Sequence, residues 1–314
     1  MNEGVELQPL PGHLRPGWHR LNRRRRTASR SARQTGCKHP GAHQATNWTD
    51  RHRSVAILDY PDGAGQLPRQ SPMLKVELHT HTADDPEDYI PHTTHELVDH
   101  AARLEYDALA ITLHGRQLDL TPELSEYARA RGITLIPGVE VSIEGRHVLL
   151  INFPREAGAE RVQTFDEIAT LRARAGSTGW LVVAPHPFYP ASSCLNYRLD
   201  AHADLFDAVE ISAFHTRWVD FNRRARAWAH AHRKPLVGNC DVHRLNFLGP
   251  TYSLVDAPRD PEAICEAIRA GRVDVRSTPL SSASAAYQLG QLLYGDLQKI
   301  RWRKSGRPAP VSAA

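Results

Sequence analysis

From Lys75 to Arg276 the chain alternates short apolar runs with helix-like stretches, and this alternation restricts its fold more than any other feature. Residues 76–79 read as a strand, followed by a helix across residues 96–104, where Thr93 and Glu96 have capping-box spacing. Residues 107–112 form a continuous apolar run, as expected of a strand covered on both faces. Thr121-Pro122 opens the next helix with proline in its first turn, ending near Gly132. Strands are predicted at 133–137 and 147–152, then a helix from the Thr164/Glu167 box to Arg174. Further apolar runs lie at 180–185, 208–212 and 235–239, the last two separated by an Ala-, Arg- and Trp-rich helix over 219–233. Asp260-Pro261 opens one more helix before a strand at 273–276. Repeated βα units predict an α/β fold with a parallel sheet, and seven or eight of them predict closure into a barrel.

The flanks differ from this body. Residues 1–72 are poor in apolar groups, contain the run Arg23-Arg24-Arg25-Arg26, and hold 12 Lys and Arg against 5 Asp and Glu. Such a segment buries too little to offset its ordering entropy, so a disordered leader is expected. It is either a basic arm or the product of a start site placed upstream of Met73. The remaining residues carry a net charge of −3, so the basic pI comes from the leader. Residues 73–280 are the expected barrel, and residues 281–314 an apolar helix (286–297) with a basic tail. No apolar run is long enough for a membrane span. The four cysteines show no C-x-x-C spacing and fit free thiols in a reducing, cytoplasmic compartment.

The strand ends carry the chemistry. Glu77-Leu78-His79-Thr80-His81 puts two imidazoles on one face of an extended backbone, since residues i and i+2 point the same way. His114 follows Ile111-Thr112, Glu140 follows Pro137-Gly138-Val139, and His147 opens the next strand. His186 closes Ala184-Pro185, and Asp241 and His243 follow Asn239-Cys240. In a parallel barrel these ends meet at one rim. Each residue is a nitrogen or oxygen ligand suited to zinc, manganese or iron. Since one zinc ion takes three or four protein ligands, a set this large implies two or three ions, with Glu140 the best candidate to bridge two of them.

These segments together resemble the PHP (polymerase and histidinol phosphatase) domain family. The matching pieces are His79-Thr80-His81-Thr82, Ile111-Thr112-Leu113-His114, Gly138-Val139-Glu140, Ala184-Pro185-His186-Pro187 and Cys240-Asp241-Val242-His243. The resemblance covers Met73 to about Pro279. It implies a distorted (β/α)7 TIM-like barrel, two to three divalent ions, and phosphoester hydrolysis by a metal-activated water. It also implies that His79, His81, His114, Glu140, His147, His186, Asp241 and His243 are metal ligands. The pattern's remaining ligand follows the H-x-H, where Asp84, Asp85 and Asp88 compete, and Asp85 is the choice made here. The family commonly has aspartate before its third histidine, whereas this chain has Leu113.

Glu140, Asp241 and His215 are the candidate catalytic residues, and Arg217 and Arg244 are candidate holders of a substrate phosphate. His92, His95 and His100 are expected to be exposed, and Trp180, Trp218 and Trp228 to pack. The expected reaction is hydrolysis of a small phosphomonoester or nucleotide. An amidohydrolase-like cleavage of C–N or C–O bonds is the alternative that keeps the metals. A non-catalytic nucleic-acid-binding protein using the basic leader is the alternative that does not.

Overall fold

Thr93 and Thr164 start helices because each hydroxyl accepts the backbone N–H three residues on, while Glu96 or Glu167 accepts the threonine's own N–H. Thr121 and Asp260 cap two more helices, each followed by proline at a position that needs no amide hydrogen. The computed structural model describes residues 73–305, so the leader and the extreme C-terminal tail lie outside the described residues.

The elements run β1 (Leu74–Glu77), α1 (Thr94–Arg103), β2 (Ala108–Ile111), α2 (Pro122–Arg129), β3 (Thr134–Ile143), β4 (Arg146–Ile151) and α3 (Phe165–Ala175). They continue with β5 (Leu181–Ala184), α4 (Arg198–Ala201), β6 (Ala208–Ser212), α5 (Asn222–His232), β7 (Leu236–Asn239), β8 (Thr251–Val255), α6 (Pro261–Arg269), β9 (Val273–Ser277) and α7 (Ser282–Ser305).

The sheet order is β7-β6-β5-β4-β3-β2-β1-β8-β9. β1, β2 and β3 are parallel, as are β5, β6 and β7. The expectation of an all-parallel sheet needs correction: β4 runs antiparallel to both neighbours, because β3 and β4 are joined by the short turn at Glu144-Gly145. No crossover helix fits in that length. β1 and β7 meet beyond their named ends, where Thr80 pairs with Val242. His81 N donates to Val242 O (3.2 Å) and Val242 N to His79 O (3.1 Å). The result is a seven-stranded, nearly closed barrel of the distorted TIM-like type. β8 and β9 extend from β1 as an antiparallel pair. β8 is an element the sequence patterning does not show. It packs so closely on β7 that a Cβ at Gly238 would stand 2.8 Å from Tyr252 O.

Val76, Ala110, Ile136, Leu149, Val183 and Val237 are buried, in one cluster with Ile264, Cys265 and Ile268 of α6. Each large apolar side chain fully buried there contributes about 1.5–3 kcal/mol relative to exposure. A core of this kind holds the strand ends still, which a multidentate site requires.

Candidate metal centre

β1, β2, β3 and β7 deliver their ends to one rim. His79 Nε2 lies 3.2 Å from Glu140 Oε2 and 3.3 Å from Asp241 Oδ1. His81 Nε2 lies 3.4 Å from each of the same two oxygens. His114 Nε2 is 3.2 Å from Glu140 Oε2, while the other oxygen of Glu140 meets His147 Nδ1 (2.6 Å) and His186 Nε2 (3.6 Å). His243 Nδ1 stands 3.2 Å from Asp241 Oδ1. Glu140 thus sits at the middle of the group with five imidazoles around its two oxygens. His147 reaches it although it lies near the start of its strand. The reversed direction of β4 brings that start to the rim where the other strands end, and His147 pairs with Ser142, two residues past Glu140 on the same face.

The opposite ring nitrogens are held from behind. Glu210 Oε2 lies 2.9 Å from His79 Nδ1 and accepts Asn239 Nδ2 (3.0 Å), and Oε1 accepts the His186 amide (3.1 Å). Asp85 Oδ2 lies 2.9 Å from Nδ1 of both His81 and His114. Cys194 Sγ is 3.4 Å from His186 Nδ1. In this arrangement His79, His81, His114 and His186 all turn Nε2 toward the rim, as outer partners of metal-ligating histidines do.

Electrostatically the site couples buried carboxylates to buried imidazoles. Burial works against ionisation of Glu140, yet His147, His79 and His114 hold its carboxyl well below the usual range. Asp241 is likewise driven down by His79 and His243 against its own burial. Burial alone would depress the imidazoles, but the surrounding carboxylates raise His79 and His243 well above the ordinary value and His114 to about 9, and Cys194 together with Glu140 raises His186 well above it. Behind them Glu77, pushed up to about 8 by burial, accepts the amides of His79 and Cys240.

The residues fit cations on two further observations. His81 Nε2, Glu140 Oε1 and Asp241 Oδ1 are buried polar atoms whose short contacts to one another's groups are not aligned as hydrogen bonds among the described residues. Four triads (His79-Glu140-His186, His79-His81-Asp241, His81-His114-His243 and His114-Glu140-His147) each bring three ligand atoms within 4.8 Å of one another. In addition, His186 (φ 28°) and Asp241 (φ 51°) hold left-handed backbone conformations, strain of a kind that clusters at functional sites.

Several sequence expectations move. Asp85 was expected as a ligand, but its oxygens are taken up by five donors: the two imidazoles and the amides of Glu87, Asp88 and His114. It occupies the orienting role that Leu113 cannot fill. Asp88 is the acid that reaches the cluster, with Oδ2 3.1 Å from His243 Nε2 and Oδ1 ion-paired to Lys299 of α7. Glu210 leaves no mark in the sequence, since a single buried acid inside an apolar strand gives no spacing signal.

His215, expected near the chemistry, is buried but does not line the cleft over the cluster. Its backbone is tied to Leu280 instead. Arg244 does line that cleft of about 350 Å³, with Tyr89, Tyr189, Phe214 and α7, whereas Arg217 is exposed outside it. His92 is buried rather than exposed, donating to His81 O (2.9 Å), and burial pulls its pKa down to about 4. Trp180 and Trp228 pack as expected, but Trp218 is 88% exposed.

A family model described as PHP-associated matches residues 220–273, from the end of the β6–α5 connection to the start of β9. No curated protein matches the sequence. Among solved structures, the fold resembles a two-domain Bacteroides vulgatus protein containing a predicted PHP-like metal-dependent phosphoesterase. That match has TM-score 0.51 and 18% identity, over 68% of this chain and 70% of the other. It also resembles PsfC from Pseudomonas syringae (TM-score 0.48, 16% identity, 75% of this chain and 99% of the other). A lesion-specific endonuclease from Pyrococcus furiosus aligns with TM-score 0.46 and 20% identity, over 65% of this chain and 57% of its own. At 18% identity the first of these likenesses is one of fold.

Proposed function

We propose that the chain is a PHP-type metal-dependent phosphoesterase working at the Glu140 cluster, a reading supported by the PHP-associated match over residues 220–273 and by the shared fold. The observation that carries the reading is the convergence of imidazoles from separate strands on the two oxygens of Glu140. His79, His81, His114, Glu140, His147, His186, Asp241 and His243 would hold two to three divalent ions, with Asp88 in place of Asp85 as the further acid. The charges support that number. Asp85, Asp88, Glu140, Glu210 and Asp241 contact the cluster's imidazoles, against the single ammonium of Lys299. With neutral imidazoles, two divalent ions balance this set, and a third leaves positive charge for a phosphate.

Zinc, manganese or iron ions bound here supply a water of lowered pKa and charge to compensate the phosphoryl oxygens. The chain's own groups do the rest. Asp85, Glu210 and Cys194 fix the ring orientation of four histidines. The walls of the cleft, including Tyr89, Tyr189 and Phe214, reduce the water around the phosphoester, which strengthens every electrostatic contact there. Arg244 lines the cleft, and in this reading its guanidinium would hold a phosphate oxygen. His215 is not needed by this arrangement.

The test is a substrate panel of phosphomonoesters and phosphodiesters beside lactones and amides, run on the full chain supplied with zinc or manganese. Turnover of phosphoesters that is abolished in Glu140→Gln supports the reading. Turnover confined to lactones or amides overturns it.

A further inference from the structure

The β6–α5 connection leaves the cleft over the Glu140 cluster and presents an arginine and an indole that have no partner among the described residues, on a hydrogen-bonded turn. Ser212 and Phe214 line the cleft. Beyond them Thr216 N donates to Val219 O (2.9 Å), while the Thr216 hydroxyl accepts the amides of Trp218 (3.2 Å) and Val219 (3.0 Å). Arg217 and Trp218 are the two central residues of this turn. Its base is pinned by Leu280 N donating to His215 O (2.8 Å). Its far end is held by Asn222, whose side chain exchanges hydrogen bonds with the backbone of Ser212 (3.0 and 2.9 Å). The indole is therefore exposed on a rigid support and not on a mobile tip. Trp218 lies four residues from Phe214, at most about 14 Å along an extended chain.

Apart from Asp220, the charges beside it in the sequence are positive. α5 begins here with Asn222-Arg223-Arg224, and its first turn contains no acid. Cations at a helix N-terminus oppose the helix dipole, so this placement does nothing for α5 itself. The nearby Asp220 is already occupied by Arg226 (3.0 Å). Among the described residues, Arg217 and Arg223 have no acidic partner. Arg224 lies over the ring of Phe188 (4.6 Å), two residues past His186, which ties this positive surface to the metal rim. A rigid exposed indole among unpaired guanidinium groups matches what single-stranded nucleic acid offers: a flat base to stack and phosphates at intervals along the strand.

We infer that Arg217, Trp218, Arg223 and Arg224 form a binding platform for a single-stranded nucleic acid whose scissile phosphate lies in the Glu140 cleft. This rests on the phosphoesterase reading and narrows it, from phosphoesters in general to a strand extending at least one nucleotide beyond the cleft. Trp218 stacks a base there, and the arginines hold the flanking phosphates.

The test compares kcat/KM of the full chain for oligothymidylate of about twelve nucleotides, thymidine monophosphate and p-nitrophenyl phosphate. The wild-type protein is expected to prefer the oligonucleotide. Trp218→Ala should reduce the ratio of its kcat/KM to that of the mononucleotide about tenfold, the loss of one stacked base. Trp218→Phe should restore most of that ratio. Arg217→Ala with Arg223→Ala should also flatten the dependence of oligonucleotide affinity on salt. A wild-type protein that treats oligonucleotide and mononucleotide alike, or a Trp218→Ala ratio equal to wild type, overturns the inference. If no phosphoester is turned over, the phosphoesterase reading has failed. Fluorescence anisotropy of labelled oligothymidylate then decides the platform separately: a Kd raised about tenfold in Trp218→Ala supports it, and an unchanged Kd overturns it.

Discussion

Asp85 Oδ2 stands 2.9 Å from Nδ1 of His81 and 2.9 Å from Nδ1 of His114, so one buried oxygen orients two imidazoles from different strand ends. It also accepts the His114 amide at 3.0 Å. Burial opposes ionisation of this acid, yet hydrogen bonds from His114 and His81 hold its carboxyl well below the usual carboxylate range. Asp85→Asn would put an amide at a point that needs an acceptor for three donors. The expected outcome is a 10- to 100-fold loss of metal affinity with the fold retained, read by chelator competition and circular dichroism. Wild-type affinity in this variant would mean that the two rings are held by something else.

Glu210 does the same for His79 while also holding Asn239 and the His186 amide. Glu210→Gln keeps the shape but leaves only one acceptor oxygen for three donors. Leaving a buried donor unsatisfied costs about 1–3 kcal/mol, so the urea midpoint of the metal-free protein should fall accordingly. A midpoint equal to wild type would contradict the assigned hydrogen bonds.

The response to pH follows from the raised imidazoles. In metal-free protein His114 titrates at about 9, with Glu140 and Asp85 overcoming the opposing effect of burial. Its value in an unfolded chain is about 6.5. The folded pKa is the higher one, so the stabilisation is complete below about pH 6.5 and disappears as pH rises through about 9. His79, His186 and His243 act in the same direction. Chelated protein should therefore have a higher urea midpoint at pH 6.5 than at pH 9. Metal affinity should run the other way, because bound ions displace those protons. A midpoint in chelated protein that rises across this window would contradict the buried network.

His215→Ala tests a negative. The side chain lies outside the lining of the cleft, so kcat for a small phosphoester should stay within about twofold of wild type, since no transition-state contact is removed. A loss of 100-fold or more, with the fold intact, would return His215 to the chemistry.

How far the sequence discloses this molecule depends on the kind of signal each feature leaves. Capping pairs such as Thr93/Glu96 and Thr164/Glu167 are local, and both boxes form. The rim imidazoles are legible because they end apolar runs, and an apolar run followed by a polar ligand type is unusual. Three features were not legible. The direction of β4 depends on a short turn at Glu144-Gly145, while its residues read like any other buried strand. β8 carries Thr251 and Ser253, whose hydroxyls bond to neighbouring strands, and with Tyr252 they weaken the apolar pattern. The spacing of Asp84, Asp85 and Asp88 does not reveal the chain reversal after Thr82, which lets the Asp85 carboxylate accept amides from its own loop and from His114. Exposure is also a tertiary property, which is why Trp218 reads like Trp180 and Trp228 in the sequence and stands apart from them in the fold.

Elemental analysis of the full chain, purified without chelator, tests the metal centre most directly. Two to three divalent transition ions per chain are expected, and changing His79 and His81 together to alanine should remove most of them. A wild-type chain with no bound ions, or a double variant that keeps the full complement, would contradict a metal cluster built around Glu140.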